Sequence, residues 1–78
     1  MPIYFSKHAE DRRKRRKIAK RAIIETIRNP EETIQSLRGR KLRQRRFGDR
    51  ILEVVMKTEG ARITVITEYF LREEKYAS

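Results

Sequence analysis

From Arg50 to Leu71 the chain reads RILEVVMKTEGARITVITEYFL, two apolar-rich runs broken only around Glu59–Gly60. The first run, Arg50–Lys57, alternates: Leu52, Val54 and Met56 lie on one face of a strand, Ile51 and Val55 on the other. The second, Ala61–Leu71, is a long β-branched strand on which Tyr69 shares a face with Ile63, Val65 and Thr67. A connection this short predicts an antiparallel hairpin.

Upstream, Gly48–Asp49 is a second short turn. Before it, Lys41–Phe47 sets Lys41, Arg43 and Arg45 on one face against Leu42, Gln44 and Arg46 on the other. Gly39 marks a further turn, and Glu31–Leu37 alternates weakly as the first strand of a meander. Asn29–Pro30 ends what precedes it, because a residue before proline is biased out of the α region. That element is a helix over about 19–28, in which Ala19, Ala22, Ile23, Thr26 and Ile27 recur at the spacing of a buried stripe.

Earlier still, Ser6 is a natural N-cap, and Glu10 and Asp11 suit the start of a helix over about 7–16. Ala9 is almost its only apolar residue, so this helix lies at the surface. The pattern fits either two helices or one continuous helix, since neither Gly nor Pro separates them. Pro2–Phe5 is a short apolar entry offering Ile3 and Phe5 to the core, and the stretch from Leu71 to Tyr76 reads as a polar helical turn or tail. The predicted fold is α+β. Two N-terminal helices (about 7–28) pack on a four-stranded antiparallel sheet (about 31–71) as a two-layer sandwich, in one domain over 1–78. Ile51, Val55, Ile66 and Phe70 then leave apolar surface on the second sheet face. A homodimer or an acidic antitoxin-type partner would cover it, or strand twist and long arginine stems would.

Composition narrows the function classes. At 78 residues there is room for one domain, which buries only roughly 60% of its unfolded surface. Hydrophobic residues are 37% and charged residues 41%, which allows one small core under a charged exterior. The formal charge is +10, and its distribution is uneven: +7 over residues 1–29, +4 over 30–50 and −1 over 51–78. A one-sided positive field suits phosphates. A membrane surface would require large apolar residues opposite the cations, and between Lys7 and Lys17 there is only Ala9. RNA or another nucleic acid is therefore the expected partner, with an acidic protein as the alternative. The chain has no cysteine, hence no disulfide, thiolate nucleophile or Cys-based zinc site. No apolar run approaches the ~20 residues of a spanning helix, and MPIYFSKH lacks the apolar core of a signal peptide. The expected location is cytoplasmic.

Several residues are candidates for chemistry. Histidine is the side-chain type suited to acid–base work near neutral pH, and His8, the only one, is the candidate for phosphodiester cleavage. Arg12 follows it at i+4 on the same helical face. The plain alternative is a surface histidine bonded to the helix N-terminus. Arg13 and Arg16 belong to the cationic run Arg12–Lys17, which wraps the helix and raises affinity for any polyanion without sequence specificity. Arg43, Arg45, Arg46 and Arg50, around a tight turn, supply guanidiniums for a phosphate or a phosphorane, though Arg43 and Arg45 point away from Arg46. Tyr69 suits stacking on a base or donation to a leaving group, and equally the capping of the core's edge. A lone histidine and carboxylates without ligand spacing give no basis for a metal, and no cofactor is expected. Neither a nucleophile elbow nor a Gly-rich phosphate loop is present.

FSKHAEDRRKRRKI, AIIETIRNP, GDRILEVVMK and ITVITEY, in that order and spacing, resemble the domain-of-unknown-function 4258 family over about 5–70, and the layout is similar to the BrnT and RelE-type toxins. Lys17, Ile18 and Ala19 stand where that family usually has a glycine, an apolar residue and a Ser/Thr cap, and LREEKY is similar to the BrnT tail. The resemblance implies a helix-plus-antiparallel-sheet fold and a metal-independent ribonuclease. Its motif positions here are His8, Arg12, Arg50 and Thr67, with Tyr69 close by. The expectation is a toxin-like RNA-binding protein, with His8 as acid–base, Arg12 and Arg50 as phosphate cations and Tyr69 as stacking or relay group. The alternative is a non-catalytic nucleic-acid-binding module, or a protein meeting an acidic partner.

Overall fold

Ser6 does what its position predicts. In the computed structural model, which describes residues 2–71, its hydroxyl accepts from the Ala9 N–H at 3.0 Å and so caps the first helix. The elements in order are β1 (Ile3–Phe5), α1 (Lys7–Arg15), α2 (Lys20–Arg28), β2 (Glu32–Gln35), a 3-10 turn (Leu37–Gly39), β3 (Arg40–Phe47), β4 (Arg50–Glu59) and β5 (Arg62–Leu71). The stretch from Arg72 to Tyr76, expected as a helical turn or tail, lies outside the described residues. Among the described residues no helix is long and apolar enough to cross a membrane.

α1 and α2 are separate helices, and the break is built without glycine. Arg16 ends α1, and Lys17 takes the left-handed conformation at φ 55°. The N–H of Ile18 then reaches back to the Arg13 carbonyl at 2.8 Å and that of Lys17 to the Lys14 carbonyl at 3.3 Å. This is the bonding of a Schellman turn, and Ile18, the second residue past the cap, is buried in the core. A lysine there carries the strain of a Cβ in the left-handed region, and Ala19 caps α2 with no side-chain bond. Lys17→Gly is expected to raise stability by about 0.5–1 kcal/mol. Ala19→Ser is expected to add about 1 kcal/mol more, each seen as a Tm increase of several degrees in thermal unfolding.

The sheet has five strands in the order β1-β5-β4-β3-β2, not four. β1 joins β5 in parallel, with Ile3 beside Ile63 and Phe5 beside Val65, so the sheet is mixed rather than purely antiparallel. Three residues are too few to show alternation, and they hold as a strand only because the edge of β5 is there to pair with. The remaining ladders are antiparallel, as the short turns require. Both helices lie on one face. Ala9, Ile18, Ile23 and Ile27 meet Leu52, Val54, Met56, Ile63 and Val65 in the core.

One irregularity changes which residues that core receives. Val55 pairs with Thr67 but Met56 pairs with Val65, so Ile66 is an extra residue in β5. Alternation restarts after it. Ile63 and Val65 face the helices, but Thr67 and Tyr69 lie on the open face, opposite Val55 and Glu53. Phe70, expected on the open face, packs instead against the core, and Glu68 is buried at 0% exposure beneath the helices.

Candidate nucleic-acid interface

α1 lies along β5, fixed at both ends by bonds to that strand. At its start the Ser6 N–H donates to the Val65 carbonyl at 3.1 Å and the Ser6 hydroxyl to the Ile66 carbonyl at 3.3 Å. At its end the Arg16 guanidinium donates to the Glu68 carbonyl at 2.7 Å. The helix therefore delivers Arg16 to the C-terminal end of β5, where β4 begins. There Arg50 places its guanidinium 3.7 Å from the centre of the Phe70 ring. Arg16, Arg50, Tyr69 and Phe70 line a cleft of about 420 Å³.

Of the four residues expected to act chemically, Arg50 and Tyr69 share this cleft, and Arg16 from the basic run joins them. His8 and Arg12 do not line it. His8 is exposed near the start of α1, eight residues before Arg16 and so roughly 12 Å along the axis. Thr67 lies on the open face beside Val55. The Tyr69 hydroxyl also turns to that face, donating to Glu53, whose other oxygen accepts from Gln44 at 2.6 Å. Three neighbouring strands are tied by this chain of bonds.

The arginines of β3 divide as their alternation predicts. Arg43 and Arg45 face the helices and donate to the carbonyls of Ile27 and Asn29, at the C-terminal end of α2. Cations there satisfy orphan carbonyls and complement the helix dipole. Arg46 is exposed on the other face, its backbone N–H bonded to the Glu31 carboxylate at 2.7 Å. Arg13 pairs with Glu10 at 2.9 Å, and Lys20 reaches the same carboxylate at 3.0 Å, joining α1 to α2. The bond from Lys20 is the main reason that Glu10 titrates below the ordinary carboxylate range.

Glu68 is the residue that sequence reasoning missed. Among the described residues neither oxygen of its buried carboxylate has a hydrogen-bond partner, and burial raises its pKa to about 7 against the pull of Arg16 and Arg13. Strict alternation put Glu68 on the open face, and nothing in ITVITEYF announces the extra residue, since the bulge carries no glycine. The buried carboxyl is next in sequence to Tyr69 of the arginine-lined cleft but does not line it. Among the described residues no cluster of three His, Asp or Glu side chains is placed to hold a metal ion.

No curated protein and no solved structure matches this chain significantly. The sequence profile described as "Domain of unknown function (DUF4258)" matches residues 5–70, most of the chain, with both helices, the cleft arginines and Glu68 inside the match. The chain belongs to that family.

Proposed function

We propose that the protein is a toxin-like RNA-binding protein, with the strand lying along the basic surface of α1 and a phosphate held at its end by Arg16 and Arg50. The observation that carries this reading is the convergence of two guanidiniums and two aromatic residues on one cleft at the end of a cationic helix. Guanidiniums bond phosphate oxygens in pairs, and aromatic residues at the same place give a base something to stack on. Arg12 and the rest of the run add affinity that is independent of sequence.

The finer reading is a metal-independent endoribonuclease. In that chemistry a base takes the proton of a ribose 2′-OH, the oxygen attacks the adjacent phosphorus, and the 5′-oxygen leaves with a proton from an acid. Arg16 and Arg50 would stabilise the phosphorane. Glu68 is wholly buried and does not line the cleft, so it takes no direct part in this step. His8, at the other end of α1, would serve RNA lying along the helix. Incubation of RNA in EDTA tests this. Discrete cuts that Arg50→Ala abolishes are the expected result, and their loss in His8→Ala would give His8 a part in the step. Intact RNA, with tight binding that falls steeply with salt, would leave a non-catalytic RNA-binding module.

A further inference from the structure

We infer that β2 is a self-association edge, through which two copies of this chain pair antiparallel about a two-fold axis at Ile34 and join their sheets. The bonds to β3 fix which groups of β2 are free for this. In register with the β2–β3 pairs, Ser36 donates to the Arg40 carbonyl at 2.8 Å, while Glu31, before the strand begins, donates one residue out of register to the Gln44 carbonyl at 2.8 Å. The register sets Ile34 beside Leu42 and Glu32 beside Gln44. Inward bonding alternates along an antiparallel ladder, so Glu32, Ile34 and Ser36 bond to β3 while Thr33 and Gln35 turn their N–H and C=O groups outward.

That outer edge is unguarded. Among the described residues no strand pairs beyond it, Glu32–Gln35 contains neither lysine nor proline, with Pro30 and Glu31 standing before its start, and every residue from Glu31 to Gly39 is exposed. The opposite edge, β1, has only three residues and is flanked by Pro2 and Lys7. Ile34 and Leu37, exposed at 43% and 83%, are two of the three large hydrophobic residues left in solvent among the described residues, and both lie here.

A two-fold arrangement uses each of these features. Thr33 of one copy exchanges backbone bonds with Gln35 of the other, and Ile34 meets Ile34 in the closer, non-hydrogen-bonded pair, with Cα atoms about 4.5 Å apart. Ile34 shares the open face with Leu42, so the apolar surface of that face continues across the axis. Glu32 falls opposite Ser36 of the second copy, with Arg38 diagonally beyond. The acidic start of β2 thereby approaches the basic end of its copy, which a parallel pairing would not achieve. Two chains of charge +10 repel, so added salt strengthens this association while it weakens binding to a polyanion. β2 lies at the far side of the sheet from β5, and the inference stands independently of the RNA reading.

Sedimentation equilibrium of the full chain in moderately high salt tests it, from about 10 µM to about 1 mM, where an edge contact below standard interface size associates. The wild type is expected to shift from monomer to dimer across that range. Thr33→Pro removes an outward N–H and no bond to β3, a change that edge strands accept. Ile34→Lys sets two like charges together at the axis. Each variant is expected to weaken the dimer at least about tenfold, with the monomer's circular dichroism and Tm close to wild type. Should Thr33→Pro misfold, Ile34→Lys alone decides. A wild type that stays monomeric throughout, or a dimer that Ile34→Lys leaves intact, overturns the inference.

Discussion

Glu68→Gln is expected to exceed the wild type in stability by about 3 kcal/mol at pH 8 and to match it near pH 4, as read by urea unfolding. The folded chain holds a proton on Glu68 up to about pH 7, while an ordinary glutamate releases it near 4.5. Between those values the folded state binds a proton that the unfolded state has lost. Wild-type stability therefore falls as pH rises through this window, and levels off above it. Glutamine keeps the shape and cannot ionise, so its curve stays flat there. Glu10 does not blur the result. Its pKa is lowered in the fold, so the stability it contributes is lost only as pH falls below 4.5. A wild type that is flat between pH 4.5 and 7, or a glutamine variant that slopes with it, would show that Glu68 is not the group taking up the proton.

Arg50→Ala is expected to weaken RNA binding about 10- to 100-fold at low salt, the loss of one charge-assisted contact, and to reduce the salt slope by about one. Fluorescence anisotropy with a short single-stranded RNA reads both. Arg45→Ala provides the contrast, because its guanidinium is spent on the Asn29 carbonyl at the end of α2. Losing that bond is expected to cost about 1 kcal/mol of stability and to leave RNA affinity within about twofold. Equal losses of affinity in the two variants would mean that charge alone governs binding and that the cleft has no special part. Arg16→Ala combines both effects, since the same guanidinium lines the cleft and holds the Glu68 carbonyl.

The sequence revealed most of this architecture where periodicity was long enough to read. β4 and β5 begin and end close to where the alternation of Arg50–Leu71 places them, and the stripe of Ile23, Thr26 and Ile27 is the buried face of α2. The opposed directions of Arg43 and Arg46 follow from the same rule. Two features were out of reach for physical reasons. β1 has no period of its own and becomes a strand through a partner sixty residues away. The left-handed Lys17 shows no glycine, so the sequence does not reveal the turn that separates α1 from α2. The candidate site was legible in kind but not in membership. Charge pattern pointed to a polyanion and to Arg50, whereas the company that Arg50 keeps depends on how far α1 reaches along β5.

The extra residue in β5 divides one strand into two reading frames. Before Ile66 the odd-numbered positions belong to the interior, and after it the even-numbered ones do. Ile66 therefore acts on the strand as an inserted letter acts on a message, and deleting it would leave a regular ladder in which every residue keeps its face. Taking Ile66 into the ladder opposite Val55 would instead exchange the faces downstream, Tyr69 entering the space beneath the helices and Glu68 emerging on the open side. In a chain that keeps this frame, the buried acid and the cleft beside it persist together or are lost together.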